Sequence, residues 1–330
     1  MKKFNRIFLQ IIFCQIAICL FFASDITNVY SDEFFKLENE ISTNSWSIGL
    51  SIDEDNLYVA DGIGNNIQVF DYQGKFIRSF SLEDDSDCTG HIHGISIHNN
   101  LVYVVKENND CIGIYNIDGE IVDKFGSKGN EIGEFNSPQN IEIYNERIYV
   151  TDNKNKRIQI FDLEGNFMNL FNIQKDILTN GMETPYDLEI YREQIYVTLP
   201  KEDKIDVYDL EGNFIKSIKN LESFRDPLGI TIVNNQIYLA SGDENEIFIL
   251  NLDGKLIDRI RSDFFDPHQI ILFDEKLYVL DTRNMLVKIF TSIKADENEL
   301  STNGDYELYL LISILIITIF VVVKRLLLKK

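Results

Sequence analysis

The chain has 330 residues, and 45% of them are hydrophobic, which is enough to bury one large core or two smaller ones. Its formal net charge is −22 at pH 7, with 53 acidic against 31 basic residues. A surface this acidic repels phosphate backbones, so we exclude nucleic acid as a partner and expect a solvated acidic exterior.

The N-terminus is typical of a segment that directs export. Residues 1–6 (MKKFNR) are basic, and residues 7–24 carry no charge. A basic start followed by an apolar run is the layout of a secretory signal peptide. The run is long, however, and cleavage after Ala23 would place Phe21 where a small residue is usual. Residues 1–24 are therefore either a cleaved signal peptide or an uncleaved signal anchor.

Six copies of one pattern fill the body of the chain. The clearest copy starts at Pro138 and reads PQNIEIYNERIYVTDNKNKRIQIFDLEGNFMNLF. Each copy contains short segments of alternating apolar and polar residues, which predict β-strands, and the first five have a glycine turn before the last segment. One tyrosine marks each copy, at intervals of 40 to 47 residues: Tyr58, Tyr103, Tyr149, Tyr196, Tyr238 and Tyr278.

Four strands that recur at this interval are typical of a propeller blade, so the sequence predicts an all-β, six-bladed β-propeller over residues 31–291. The sixth copy stops after Phe290, before its fourth strand. Because an open ring would expose a strand edge, we predict that residues 33–41 (EFFKLENEI) supply that strand and close the ring.

The copies resemble NHL repeats, which read as a proline, an alternating strand, IYVTD, RIQ-F and a Gly-aromatic turn. The third copy, from Pro138, carries all of these segments. The resemblance covers about residues 31–291. It implies an NHL-type propeller that binds its partners through its loops.

The first residues of the innermost strands are predicted to line one mouth of the central channel, because strands alternate in direction within a blade. The mouth position holds Ile48, His93, Gln139, Tyr186, Leu228 and His268, and the next position holds Gly49, Gly94, Asn140, Asp187, Gly229 and Gln269. Among these we expect the polar side chains to contact a ligand: His93, Gln139, Asn140, Tyr186, Asp187, His268 and Gln269.

His93, Tyr186 and His268 belong to alternate blades and should converge by pseudo-threefold symmetry. Imidazole nitrogens are good zinc ligands. The arrangement resembles the peptidyl-α-hydroxyglycine α-amidating lyases, which implies zinc held by His93 and His268, although Tyr186 stands in the place of a third histidine. Histidines at this repeat position also suit a structural role or ligand contact.

Resemblance to the calcium-dependent lactonases would instead assign Asn140, Asp187 and Gln269 to calcium. Our main interpretation, a binding propeller, needs no cofactor. Zinc or calcium is expected only if the protein is a lyase-like or lactonase-like enzyme.

Cys88 and Cys111 are predicted to lie in two loops of the second blade that share a face. An oxidising compartment would allow them to form a disulfide, and two free thiols are the alternative. Asp61, Asp152 and Asp281 end the second strand of three copies, where a carboxylate typically caps the following turn.

The C-terminus is typical of a membrane anchor. Residues 292–305 form an acidic stalk, and residues 306–323 are predicted to be a transmembrane helix that contains the uncharged run 308–323. Residues 324–330 (KRLLLKK) are basic and should be cytoplasmic. The propeller would then lie outside the cytoplasm, on a single-pass anchor in the cell membrane.

Two classes of function remain. The first is a cell-surface scaffold that recognises an extracellular protein, peptide or glycan through its loop face. The second is a metal-dependent enzyme, amidating-lyase-like or lactonase-like, that acts at the channel mouth. An exposed apolar or aromatic patch on the loop face, together with an empty channel, would favour the scaffold. Stoichiometric metal, or a complete set of convergent polar groups, would favour the enzyme.

Overall fold

A computed structural model describes residues 35–43, 46–83, 87–88, 90–175, 183–219 and 224–292. They belong to one compact unit that ends at Ser292, and residues 293–330 lie outside the described residues. The predicted signal segment 1–24, nearly all of the predicted stalk 292–305, the predicted transmembrane helix 306–323 and the predicted tail 324–330 also lie outside them. The described ranges contain no helix that is long and apolar enough to span a membrane.

The described residues form a six-bladed β-propeller, as the sequence predicts. Each blade is an antiparallel sheet of four strands. Chain order gives β1 (Phe35–Ser42), then blade 1 with β2 (Ser47–Ile52), β3 (Leu57–Asp61), β4 (Asn66–Phe70) and β5 (Phe76–Ser81), and blade 2 with β6 (Ile92–His98), β7 (Leu101–Lys106), β8 (Cys111–Asn116) and β9 (Ile121–Phe125). Blade 3 has β10 (Pro138–Tyr144), β11 (Arg147–Asp152), β12 (Arg157–Asp162) and β13 (Phe167–Asn172), and blade 4 has β14 (Leu188–Tyr191), β15 (Gln194–Leu199), β16 (Lys204–Asp209) and β17 (Phe214–Lys219). Blade 5 has β18 (Pro227–Val233), β19 (Gln236–Ser241), β20 (Glu246–Asn251) and β21 (Leu256–Ile260), and blade 6 has β22 (Pro267–Phe273), β23 (Lys276–Asp281) and β24 (Leu286–Ser292).

The hairpin before each outer strand depends on local side chains. In blade 3 the Asp162 carboxylate accepts hydrogen bonds from the backbone amides of Glu164 and Asn166, at 3.1 and 2.8 Å. Gly165 has a φ of 78°, a left-handed conformation that suits glycine because it has no Cβ. The geometry of this turn is therefore set by its own side chains.

The core lies between blades rather than within one of them. Tyr103 of blade 2, for example, packs in one cluster with Ile141 and Phe161 of blade 3. The six hydrophobic clusters of the described residues each join neighbouring blades. A single blade therefore has no complete core, and the ring is stabilised as a whole.

The N-terminal strand closes the ring. β1 pairs antiparallel with β24, so blade 6 has the strand order β1-β24-β23-β22. Ile41 of β1 is buried in the cluster between blades 6 and 1, and Phe35 makes an edge-to-face contact with Tyr238 at 5.8 Å. The prediction that an N-terminal segment completes blade 6 is confirmed.

Asp61, Asp152 and Asp281 bind turn and loop atoms, as predicted. Asp61 accepts hydrogen bonds from the amides of Ile63 and Gly64, at 3.0 and 2.7 Å. Asp152 and Asp281 reach further back, to the loops that enter their own blades: Asp152 accepts from the Asn136 amide at 2.8 Å, and Asp281 accepts from the Phe265 amide at 2.7 Å. These carboxylates hold the loops in place.

A disulfide joins Cys88 to Cys111, with their Cα atoms 5.8 Å apart. It ties the loop that enters blade 2 to the start of β8. We expect reduction of this bond to lower the free energy of unfolding by about 3 kcal/mol, because the reduced unfolded chain regains the entropy of a loop of 23 residues. Denaturant unfolding with and without a reductant measures the change.

The matched control for the disulfide is the double variant C88A/C111A. Its unfolding midpoint should already be low and should not respond to the reductant. Equal midpoints for the oxidised and reduced wild-type chain would contradict the prediction.

Candidate functional site

The three predicted aromatic side chains meet at the channel mouth. His93 lies at the start of β6 and His268 at the start of β22, while Tyr186 precedes β14. The ring centroids are 5.9 Å apart for His93 and Tyr186, 6.4 Å for the two histidines, and 5.4 Å for Tyr186 and His268. The repeat register alone therefore predicts this convergence correctly.

A hydrogen bond joins two of these rings. The Tyr186 hydroxyl lies 2.7 Å from Nδ1 of His268. Burial raises the pKa of Tyr186 well above its usual range, so the phenol keeps its proton and shares a hydrogen bond with the His268 ring. Burial, with smaller contributions from His93 and Arg283, lowers the pKa of His268 to about 3. Burial also lowers the pKa of His93. At neutral pH the mouth thus holds two uncharged imidazoles and a phenol.

This donor set does not fit the zinc site that the resemblance implies. One nitrogen of His268 is engaged by Tyr186, and the third position offers a protonated phenol instead of an imidazole. In the part of the chain that the structure describes, no three histidine, cysteine, aspartate or glutamate side chains are arranged to hold a metal ion.

A layer of polar side chains lies directly beneath the mouth and ties the inner strands together. Asp187 accepts hydrogen bonds from the Asn140 side chain in blade 3 and from the Ile230 amide in blade 5, the second at 3.0 Å. Gln269 of blade 6 accepts one from the Leu50 amide of blade 1 at 2.6 Å. These bonds join the inner strands of different blades. The sequence predicts only ligand contact for Asp187 and Gln269.

This polar layer divides the channel into two unequal spaces. On the mouth side, a gap of about 10 Å³ is lined by Ile48, His93, Gln139, Asn140, Tyr186, Asp187, His268 and Gln269. On the other side, a cavity of about 1010 Å³ opens toward the far ends of the inner strands, and we call it the channel cavity. The space for a ligand within the channel therefore lies at the end opposite the predicted mouth.

Glu142 and Glu189 lie in the wall of the channel cavity, and the analysis of the mouth alone missed them. Burial and the negative charge of Asp187 raise the pKa of Glu142 to about 8. Burial, with the charges of Glu142 and Asp187, raises the pKa of Glu189 well above its usual range. In the sequence, Glu142 stands two residues after Asn140, and Glu189 stands two residues after Asp187. Residues two apart in a strand lie on the same face, so this spacing could have identified both glutamates.

We expect E142Q to be more stable than the wild type at high pH and about as stable as the wild type at low pH. The folded chain holds the Glu142 proton up to about pH 8, whereas the unfolded chain loses it near pH 4.5. This carboxyl therefore favours folding most at low pH, and that contribution is lost between about pH 4.5 and 8. A neutral glutamine avoids the loss, so denaturant unfolding should show an advantage of more than about 1 kcal/mol for E142Q at pH 8.5 and little at pH 4.5.

The control for this pH dependence is E164Q, which neutralises an exposed glutamate in the β12–β13 turn. It should match the wild type at both pH values. An E142Q advantage that is the same at pH 4.5 and 8.5 would contradict the assigned cause.

The loop face, which carries the mouth, also exposes an apolar patch at blades 6 and 1. Exposed fractions are 48% for Trp46, 60% for Ile63, 50% for Phe265 and 48% for Met285. We call these four residues the loop-face patch. The sequence does not predict this patch, because its four residues lie far apart in the chain.

Hydrogen bonds connect the segments that carry the loop-face patch. The Gly62 amide donates to the Trp46 carbonyl at 3.1 Å, and the Arg283 amide donates to the Phe265 carbonyl at 3.2 Å. The Thr43 amide donates to the Met285 carbonyl at 2.9 Å. The Arg283 guanidinium lies 5.1 Å from the Phe265 ring centroid. Four exposed apolar side chains are thus held at one part of the rim.

Comparisons with known proteins agree with this architecture. Residues 80–181 match a family described as a 6-bladed beta-propeller. Virginiamycin B lyase from Staphylococcus aureus is similar in structure, with a TM-score of 0.59 and 14% sequence identity, over 78% of this chain and 100% of that one. The WD40 β-propeller domain of Doa1 has a TM-score of 0.58 and 12% sequence identity, over 79% of this chain and 98% of that one. A streptogramin B lyase has a TM-score of 0.58 and 14% sequence identity, over 80% of this chain and 90% of that one.

No curated protein matches the chain in sequence. The family match covers less than a third of the chain, and the similar structures share 15% identity or less with it. Because lyases and a WD40 domain are similar to about the same degree, the comparisons support one conclusion: the chain is a six-bladed β-propeller.

Proposed function

We propose that the protein is a cell-surface binding propeller that recognises an extracellular polypeptide through the loop-face patch. The observation that carries this proposal is the exposure of Trp46, Ile63, Phe265 and Met285 at one part of the rim. Single exposed apolar residues are ordinary on protein surfaces, but a group rimmed by polar residues is typical of an interaction site.

The composition of the patch favours a polypeptide partner. Tryptophan, phenylalanine, methionine and arginine are enriched in protein interfaces, and buried aromatic residues with arginine carry much of the binding energy there. Arg283 stands over Phe265 and adds a cationic group beside the patch. The net charge of −22 favours a partner whose own rim is basic.

The location outside the cytoplasm is supported by three features of the chain. The basic and apolar start at residues 1–24 favours export, and the apolar run with a basic end at residues 306–330 favours a C-terminal anchor. The Cys88–Cys111 disulfide suits an oxidising compartment. The repeat pattern of the sequence supports an NHL-type propeller as part of this proposal.

The alternative, a metal-dependent enzyme, rests on the convergence of His93, Tyr186 and His268. Elemental analysis of the full chain after equilibration with zinc and calcium tests it, with H93A and H268A as controls. One zinc per chain that both variants lose would favour the enzyme over the scaffold. No retained metal in the wild-type chain would remove the lyase alternative.

A crosslinking experiment tests the binding proposal. A photoreactive phenylalanine analogue replaces Ile63 or Phe265 in the full chain, in the native membrane. The matched controls carry it at Phe214 or Ile257, which are exposed apolar residues on outer strands of the ring. We expect one polypeptide to crosslink from both patch positions and from neither control position.

The captured polypeptide is then purified and its affinity is measured. F265A and I63S should weaken binding at least about tenfold, whereas F214A should leave it unchanged. Crosslinking of the same proteins from all four positions, or equal affinity in all variants, would refute a docking role for the loop-face patch.

A further inference from the structure

We infer that residues 126–137, the connection between blades 2 and 3, form a second contact region for the polypeptide that binds the loop-face patch, so that one partner spans the channel mouth. We call this segment the blade 2–3 loop. It joins the outer strand β9 to the inner strand β10 and therefore lies on the loop face. The inference rests on the proposed function and extends its binding surface.

The blade 2–3 loop is longer than a connection between blades needs to be. It has twelve residues, whereas the equivalent connection from β21 to β22, residues 261–266, has six. Its two ends are held together: the Phe135 amide donates to the Ser127 carbonyl at 2.8 Å, and the Gly129 amide donates to the Phe135 carbonyl at 2.9 Å. Compact surface loops whose ends are close together are frequently functional.

A buried arginine fixes the conformation of the blade 2–3 loop. Arg157 of β12 is only 7% exposed, and its Nε donates to the Asp152 carboxylate at 2.7 Å. The rest of its guanidinium donates to the backbone carbonyls of Asn130, Glu131 and Glu134, at 2.9, 2.7 and 2.8 Å. Hydrogen bonds from a charged donor are strong, so this one side chain orders three residues of the loop.

Two amide side chains of blade 3 complete this support. The Gln159 side chain donates to the Glu134 carbonyl at 2.7 Å and accepts from the Gly133 amide at 3.0 Å. The Asn155 side chain donates to the Gly129 carbonyl at 2.9 Å. Because these backbone groups already have partners within the chain, a polypeptide can cover the loop without leaving them buried and unpaired.

The tip of the blade 2–3 loop presents an isoleucine to solvent. Ile132 is 61% exposed, the largest fraction among the exposed large apolar side chains of the described residues. A single exposed apolar side chain is ordinary on a protein surface. Ile132 differs because a fixed backbone carries it, so a partner can bury it without the entropic cost of ordering the loop.

The blade 2–3 loop and the loop-face patch lie on opposite sides of the mouth. Contacts between inner strands place the blades around the ring in chain order, so blade 3 lies opposite blade 6. The loop enters blade 3, and the patch belongs to blades 6 and 1. A polypeptide that contacts both regions must cross the mouth, which requires a folded domain or a long extended segment.

The mouth itself can be covered at low cost. Burial lowers the pKa of His93 and of His268, and burial raises the pKa of Tyr186. All three side chains are therefore uncharged at neutral pH. Burial of an unpaired charge is expensive, whereas uncharged rings with hydrogen-bonding atoms suit contact with a peptide backbone.

Crosslinking from both sides of the mouth tests the inference. The photoreactive phenylalanine analogue replaces Ile132 in the full chain, in the native membrane, and the products are compared with those from Phe265. The matched control carries it at Val122 of β9, which is 57% exposed on an outer strand of blade 2. We expect the same polypeptide to be captured from Ile132 and from Phe265, and not from Val122.

Affinity for the captured polypeptide tests the role of the loop. I132S should weaken binding at least about tenfold, whereas V122S should leave it unchanged. R157K keeps a positive charge beside Asp152 but loses the planar group that donates to three carbonyls. It should weaken binding several-fold in the wild-type chain and not at all in I132S, because the order of the loop matters only when Ile132 is buried by the partner.

The outcomes separate this inference from the proposed function. Capture from Phe265 but not from Ile132 would overturn the inference and leave the proposed function standing. Capture from Ile132 alone, or from neither position, would overturn both. Wild-type affinity in I132S, or an equal effect of R157K with and without I132S, would also overturn the inference. Since Ile132 is exposed, loss of binding in I132S cannot be attributed to unfolding.

Discussion

Deletion of the closing strand β1, residues 35–42, is expected to abolish folding of the propeller at room temperature. Seven residues of β1 pair with β24, and Phe35 and Ile41 are buried in two different inter-blade clusters. Loss of a buried phenylalanine costs about 3–5 kcal/mol and loss of a buried isoleucine about 2–5 kcal/mol. Together they equal much or all of the stability of an ordinary domain, about 5–15 kcal/mol.

The exposed edge adds a second penalty. Without β1, the backbone groups of β24 lose their partners, and a free strand edge favours pairing between chains. The deletion variant should therefore aggregate, and this can be measured by the soluble fraction and by circular dichroism of any soluble chain.

A graded series separates the two effects. F35A/I41A keeps the backbone of β1 and should lose on the order of 5 kcal/mol in denaturant unfolding while staying soluble. K36A, an exposed position of the same strand, should behave as the wild type. A deletion variant that unfolds at the wild-type midpoint would show that the ring does not need this strand.

Replacement of Asp281 by alanine is expected to destabilise the protein by about 3–5 kcal/mol. Asp281 and Lys288 are both 0% exposed, and their Oδ2 and Nζ atoms lie 3.3 Å apart. Removal of one partner leaves a buried ammonium whose remaining partners, Asp263 and Glu40, are exposed. The Phe265 amide also loses its acceptor.

A double-mutant cycle isolates the ion pair. K288M in the D281A background should recover part of the loss, because a neutral side chain replaces the unpaired charge. D281N keeps most of the hydrogen-bonding atoms and should fall between the wild type and D281A. R261A breaks the ion pair between the exposed Arg261 and the half-buried Glu246 and should change stability by less than about 1 kcal/mol. A D281A midpoint equal to that of R261A would contradict the argument.

The agreement between the repeat pattern and the structure has a simple physical origin. Period-2 alternation, the tyrosine in the second strand and the Asp-Gly, Glu-Gly or Gln-Gly turns are local properties, and they recur at the interval of one blade. Equivalent positions in equivalent blades must occupy equivalent places around the ring. For this reason the convergence of His93, Tyr186 and His268 could be predicted without any knowledge of their contacts.

Contacts between blades follow no such local rule. The sequence placed Asp187, Asn140 and Gln269 near the mouth, but it contained no sign that they bond across blades and close the channel there. Glu142 and Glu189 were overlooked because a glutamate in a strand is usually a solvated side chain. Their place in a cavity depends on how six strands curve around one axis.

By itself, the sequence determined the strand count, the number of blades, the closing strand and the pairing partners available to Cys88 and Cys111. Each of these depends on spacing along the chain. The tertiary structure alone decided which end of the channel is open, which polar groups are bonded between blades, and that Trp46, Ile63, Phe265 and Met285 are exposed on hydrogen-bonded loops at the rim. Those features depend on distances between residues that are far apart in the chain, and such distances exist only once the ring has closed.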